Sequence, residues 1–138
     1  MDKEKILTKL AEMEGYVTEL KDIRPKSFSD YRGEKKRACE RLLQVAIEAV
    51  LDVCNVLVAE LKLGLPSSEE DVLERLENKN VISTELLRKL RSMKAFRNIL
   101  VHRYGDVEDR KVFSHLKKNI EDFAGFKAEI VEFLRTKR

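Results

Sequence analysis

Apolar residues recur at steps of three and four along most of the chain, the spacing that places side chains on one face of an α-helix. The first predicted helix carries this pattern up to Pro25, whose ring cannot continue a helix. Its apolar positions are Ile6, Leu10, Met13, Val17 and Leu20. This part of the chain therefore forms an amphipathic helix that needs a packing partner.

The second predicted helix is the longest, and it is apolar on two sides. Ser29 or Asp30 can cap its start, and it runs to about Leu63, where Gly64 and Pro66 close it. One apolar stripe consists of Leu42, Ala46, Ala49, Val53 and Leu57, and the other of Leu43, Ile47, Val50, Cys54 and Leu61. A helix with two apolar sides is packed on both, by its own bundle or by a second subunit.

Three further helices follow. A short third helix starts within residues 67–71, with cap hydroxyls and first-turn acids, and Ser83 caps the fourth. The fifth begins between Asp106 and Asp109 and carries a Phe-rich apolar face. Its apolar positions are Leu116, Ile120, Phe123, Phe126, Ile130 and Phe133. We therefore predict an all-α fold, an antiparallel up-and-down helical bundle of four long helices and one short helix, in a single domain over residues 1–138.

Composition supports this class and narrows the functions. Of 138 residues, 43% are hydrophobic and 38% charged, with only 5 Gly and 2 Pro, which favours long salt-bridged helices over disorder or a β-sandwich. The longest apolar run, residues 56–59, is far shorter than the roughly 20 residues that span a bilayer. We expect a cytoplasmic protein with no membrane segment. Cys39 and Cys54 lie too far apart on one helix to form a disulfide with each other.

The fourth helix concentrates positive charge. Between Glu85 and Arg103 the chain has six basic residues and one acid, although its net charge is only +3. The basic residues are Arg88, Lys89, Arg91, Lys94, Arg97 and Arg103. Such a stripe fits a polyanion, either nucleic acid or a nucleotide phosphate. By charge alone, a solvated helix face is the simpler interpretation.

Arg97 breaks the apolar pattern of this fourth helix. The seam of the helix consists of Leu86, Leu90, Met93, Arg97, Leu100 and Tyr104. A buried guanidinium is costly unless it is paired, so its position needs an explanation. One explanation is structural, an ion pair with Glu48 or Asp52 of the second helix, although those acids also fit that helix's solvent face. The other is chemical, because Asn98 and His102 lie one turn apart on the neighbouring face.

A longer segment favours the chemical explanation. Residues 97–104 read Arg-Asn-Ile-Leu-Val-His-Arg-Tyr, which resembles the Arg-x4-His-x-Tyr motif of the HEPN superfamily, specifically the HepT-like ribonuclease toxins. Residues 41–49 resemble the long second helix of that family, and residues 93–98 resemble the approach to its active site. Two positions depart from the pattern: Ala95 stands where glycine is expected, and Arg103 where an acid is frequent. Neither departure removes a catalytic group.

The resemblance implies a dimeric, metal-independent endoribonuclease, the toxin of a toxin–antitoxin pair. His102 is then a general base or acid, Arg97 a phosphate clamp, and Asn98 a support for either. The expected partners are an RNA substrate, a second copy of the chain, and a minimal nucleotidyltransferase antitoxin. The antitoxin would silence the toxin by adenylylating Tyr104. No cofactor is implied.

Other functions remain open at this point. An inactive bundle that binds a nucleotide or a nucleotidyltransferase is the alternative, and a plain dimerisation domain would leave Arg97 unexplained. A metal site is disfavoured because His102 and His115 have no paired ligands, and we expect His115 at the surface. On an ideal helix Arg97 and His102 point about 140° apart. The two side chains therefore converge only if the helix end distorts, the arginine reaches round, or a second subunit completes the cleft.

Overall fold

The computed structural model describes residues 1–101 and 108–136, and every regular element in these ranges is helical. A short 3₁₀ turn, Phe28–Asp30, separates the first two α-helices. The α-helices are α1 (Lys3–Ile23), α2 (Gly33–Glu60), α3 (Glu69–Asn78), α4 (Thr84–Val101), α5 (Asp109–Lys118) and α6 (Asp122–Thr136). The predicted all-α class is confirmed.

Helix α2 lies at the centre of the bundle. It runs antiparallel to α1, since Lys9 near the start of α1 binds Asp52 near the end of α2 at 2.6 Å. Its other neighbours are α3 and α4, so both apolar stripes are covered, as the sequence predicts. By length and composition α2 could also cross a membrane, contrary to our expectation from short apolar runs. The core helix of a bundle passes the same test, and α2 is packed as such a helix.

The two cysteines of α2 are free thiols buried in this core. Burial raises the pKa of Cys54 to about 12, so its thiol stays protonated near neutral pH. The pKa of Cys39 is raised for the same reason. Both residues therefore serve as small apolar packing groups.

The start of α2 differs from our prediction. Ser29 and Asp30 belong to the 3₁₀ turn, where the Ser27 hydroxyl donates to Asp30, and α2 begins at Gly33 without a side-chain cap. The caps predicted for the next two helices are confirmed. Ser68 accepts from the backbone of Asp71 in α3, and Ser83 accepts from the backbone of Leu86 in α4.

The predicted fifth helix is two helices, α5 and α6. At the junction the backbone N–H of Asp122 donates to the carbonyl of Asn119, and that of Phe123 donates to Ile120. These hydrogen bonds between residues three apart form a tight 3₁₀-type turn, which changes the direction of the helix axis. The apolar spacing hides this break, because Ile120 and Phe123 stay buried on either side of the junction.

Helix α5 is anchored at its start. The ammonium of Lys36 lies 3.0 Å from the Asp109 carboxylate, and the ring of Phe113 packs on Phe28 at a centroid distance of 5.7 Å. These contacts hold the first turn of α5 against the start of α2 and the 3₁₀ turn.

His115 of α5 is half-buried, which corrects our expectation of a surface residue. Its ring stacks on Phe96 of α4 with centroids 3.9 Å apart. Burial lowers the pKa of His115, and the nearby Asp122 carboxylate opposes that shift only in part. His115 is therefore held in the neutral form more strongly in the folded chain than in the unfolded chain.

This burial predicts a pH-dependent stability. As the pH falls below about 6.5, the ordinary histidine value, the unfolded chain takes up a proton that the folded chain resists, so the free energy of unfolding decreases. His115→Phe keeps the stack and removes the proton site. We expect its free energy of unfolding, measured by urea denaturation between pH 7.5 and 5, to fall less steeply than that of the wild type. Equal slopes would contradict the burial of a neutral His115.

Candidate active site

Arg97 lies near the C-terminal end of α4, with its side chain only 15% exposed. Its terminal Nη2 is 2.5 Å from Oε1 of Glu69, in the first turn of α3. Its Nε donates to Oδ1 of the adjacent Asn98 at 3.0 Å. The guanidinium at the apolar seam is thus paired with an acid, as its burial requires. The acid belongs to α3, however, and the pairing with Glu48 or Asp52 that we considered is not formed.

An open cleft of about 440 Å³ lies beside this ion pair, between the first four helices. Arg97 and Glu69 line one side of it, and the two acids of α2, Glu48 and Asp52, line another. Asp52 is bound by Lys9, and Glu48 accepts from Gln44 at 3.3 Å. The polar stripe of α2 is therefore a wall of the cleft that contains Arg97.

Part of the guanidinium has no acceptor within residues 1–101 and 108–136. A guanidinium carries five N–H donors in a planar fork. Within residues 1–101 and 108–136, only Nε and one Nη2 proton of Arg97 have protein acceptors, namely Asn98 and Glu69. The Nη1 group is free of such partners, so the fork can still receive two oxygens of a phosphate.

The positive stripe of α4 is largely neutralised by its neighbours. Arg91 and Lys94 both bind Glu70 of α3, at 2.7 Å and 3.2 Å. These contacts, chiefly that with Arg91, hold the pKa of the Glu70 carboxyl below its usual range. On the other side, Lys89 lies 3.7 Å from Asp122 of α6. Much of the positive charge seen in the sequence is therefore paired with acids of α3 and α6, and Arg97 is the basic residue that lines the open cleft between the first four helices.

Of the other predicted site residues, only Asn98 lies within the described part of the chain. Asn98 is exposed and contacts Arg97. His102 and Tyr104 lie outside the described residues, in the segment that directly follows the last residue of α4, Val101. The structure brings together Arg97, Asn98 and Glu69.

Glu69 is the site residue that the sequence reasoning missed. In the sequence it is one of the acids in the first turn of the third helix. Such acids favour a helix start, so its presence needs no partner elsewhere in the chain. Nothing in the local sequence indicates that the start of α3 lies across the end of α4. That contact depends on the turn between α2 and α3, which has no apolar periodicity to reveal its path.

Comparison with known proteins gives a consistent assignment. The family model of Ribonuclease HepT-like proteins matches residues 13–130. The chain is 26% identical over 133 residues to the tRNA nuclease HepT of Aphanizomenon flos-aquae, covering 95% of this chain and 90% of that protein. It is 33% identical over 84 residues to the mRNA nuclease HepT of Shewanella oneidensis, covering 61% of this chain and 63% of that protein.

Comparison with solved structures supports the same family. The structure matches the tri-AMPylated HEPN toxin of Shewanella oneidensis, solved in complex with an MNT antitoxin, with a TM-score of 0.83 and 26% identity. The match covers 92% of this chain and 96% of that one. The predicted HEPN-like bundle is therefore confirmed, and because the family match extends over most of the sequence, the chain belongs to the Ribonuclease HepT-like family.

Proposed function

We propose that this chain, acting as a single domain, is a metal-independent endoribonuclease and the toxin of a toxin–antitoxin pair. Its relatives are nucleases of tRNA and mRNA, and the matched structure is a toxin bound to its antitoxin. The observation that carries the proposal is the state of Arg97. Its guanidinium is oriented by two acceptors, lines an open cleft, and has N–H donors that no acceptor in the described part of the chain binds.

The proposed chemistry uses the RNA's own 2′-hydroxyl as the nucleophile. Its oxygen attacks the adjacent phosphorus, the bond from phosphorus to the 5′-oxygen breaks, and a 2′,3′-cyclic phosphate and a 5′-hydroxyl result. A base accepts the 2′-hydroxyl proton and an acid donates a proton to the leaving oxygen, roles that imidazole fills near neutral pH. We assign His102 to this proton transfer. Arg97 stabilises the added negative charge on the phosphorane, and Asn98 supports Arg97.

A homodimer would complete the site. Near the end of α4, Ile99 and Val101 are 51% and 42% exposed, next to Asn98 and Arg97. Exposed apolar side chains beside a catalytic segment suit a two-fold contact between copies of α4. Such a contact would bring two copies of Arg97 and of the following residues 102–107 to one cleft, so that one His102 acts as base and the other as acid.

The proposed control is adenylylation of Tyr104 by a minimal nucleotidyltransferase antitoxin. In an uninterrupted helix Tyr104 shares the face of Arg97, two turns away. An attached AMP would then carry a phosphate to the guanidinium and fill the path of the RNA. The tri-AMPylated state of the Shewanella oneidensis toxin supports this proposal.

The nucleophile provides a direct test of the proposed function. We expect the protein in EDTA to cut an RNA oligonucleotide derived from tRNA or mRNA and to leave a 2′,3′-cyclic phosphate. A matched oligonucleotide with a 2′-O-methyl group at the cleaved position should stay intact, because its 2′-oxygen has no proton to lose. Cleavage of the methylated RNA would contradict the mechanism. If neither RNA is cut, the proposed activity is wrong and a binding role is favoured.

A further inference from the structure

We infer that Glu69 is a positioning residue for Arg97, fixing the plane of the guanidinium so that its free edge faces the substrate phosphate. The inference rests on the proposed ribonuclease activity. Its basis is the 2.5 Å contact between Nη2 of Arg97 and Oε1 of Glu69. Without it, a long arginine side chain would sample many rotamers, each placing the fork differently.

The two acceptors of Arg97 act on different parts of the guanidinium. Asn98 binds Nε, nearest the side-chain stem, and Glu69 binds Nη2 at the far end. Together with the covalent bond to Cδ, two contacts at separate atoms fix the orientation of the planar guanidinium, whereas one contact would leave a rotation free. The Nη1 group, which neither residue binds, remains for a phosphate.

Ion pairs between α3 and α4 hold the first turn of α3, which carries Glu69, in place. The next residue of α3, Glu70, binds both Arg91 and Lys94 of α4. These ion pairs hold the first turn of α3 against α4 one to two turns before Arg97. Contacts other than the Glu69–Arg97 pair therefore help to keep the two residues at this distance.

The turn before α3 is fastened as well. Asp71 accepts from the backbone N–H and the hydroxyl of Ser67, and it also binds Nε of Arg75. Arg75 in turn donates to the carbonyl of Leu63 at 2.6 Å. Gly64 allows this approach, because its φ is +96° and an added Cβ would lie 2.6 Å from Nη1 of Arg75. The helix start that carries Glu69 is thus held from both sides.

Glu69 engages only part of the guanidinium. The Arg97 side chain is 15% exposed, whereas that of Glu69 is 43% exposed. Glu69 binds Nη2, and among residues 1–101 and 108–136 no acceptor binds Nη1 of Arg97. A phosphate would join this pair and would not have to displace it.

The inference is tested with Glu69→Ala and Glu69→Gln, assayed on a short RNA in EDTA. Glu69→Ala should lower kcat by about 10- to 100-fold with little change in KM, because misplacement of a charge-stabilising group acts mainly in the transition state. Glu69→Gln keeps an acceptor oxygen at the same reach and should recover much of this loss. Glu74→Gln, at an exposed acid of the same helix that lies 3.6 Å from Arg91, should match the wild type.

Each outcome has one meaning. Wild-type kcat in Glu69→Ala would overturn the inference, and so would a higher kcat with a lower KM, which would show that Glu69 masks Arg97. A loss that tracks a lower melting temperature and is equally severe in Glu69→Gln would show a merely structural role and also overturn it. The wild-type protein separates the two proposals, because no cleavage by the wild type would refute the ribonuclease activity, whereas cleavage by the wild type with an unchanged kcat in Glu69→Ala would refute only the role of Glu69.

Discussion

Replacing Arg97 with alanine is expected to lower the rate of RNA cleavage by about 10²- to 10³-fold, the usual cost of losing one preorganised charge-stabilising group. In the free protein its guanidinium is already held by Glu69 and Asn98, so little reorganisation is needed when the phosphorane forms. The measurement is a single-turnover rate on a short RNA in EDTA, beside a melting curve for each protein.

Arg97→Lys is the matched control for charge. Lysine keeps the positive charge but lacks the planar fork, so we expect it to recover only a small part of the lost rate. The fold should survive both changes, since Glu69 is 43% exposed and its carboxylate can be hydrated when its partner is removed. A folded Arg97→Ala protein with wild-type activity would contradict the assignment.

Adenylylation of Tyr104 is expected to reduce cleavage at least as much as loss of Arg97, by about 100-fold or more, because the attached phosphate would occupy the same guanidinium. Incubation with a minimal nucleotidyltransferase and ATP should increase the intact mass by one or more AMP units and abolish activity. The control is Tyr104→Phe, which should remain an active nuclease and resist both changes. Loss of activity without a mass increase would show that binding of the antitoxin alone is sufficient.

Much of the fold follows from local pattern. The presence of α1 and α4 and the two-sided packing of α2 follow from the spacing of apolar residues, and Pro25 and the Ser83 cap predict where α1 ends and α4 begins. The break between α5 and α6 could not be predicted this way, since Ile120 and Phe123 remain in phase across it. His115 was misplaced for a related reason, because its burial depends on Phe96 of another helix.

The candidate site, like the fold, could be predicted from the sequence only in part. Arg97 is conspicuous in the sequence because a charged residue occupies an apolar position of the seam. Its partner Glu69 is not conspicuous in the sequence. An acid after a serine cap is common at the start of a helix, and the two paired residues lie 28 positions apart along the chain. Charge by itself favoured a solvated helix face and could not reveal that Glu70 pairs with Arg91 and Lys94 across a helix contact.

The measurement that tests the central claim most directly is cleavage of total cellular RNA in EDTA by the purified protein, with Arg97→Ala and His102→Ala proteins of equal melting temperature beside it. We predict cleavage by the wild type alone. Absence of cleavage by the wild type, with Tyr104 shown by intact mass to be unmodified, would contradict the claim and indicate a bundle that binds a nucleotide or a nucleotidyltransferase. Cleavage by all three proteins would show that these residues do not carry the chemistry.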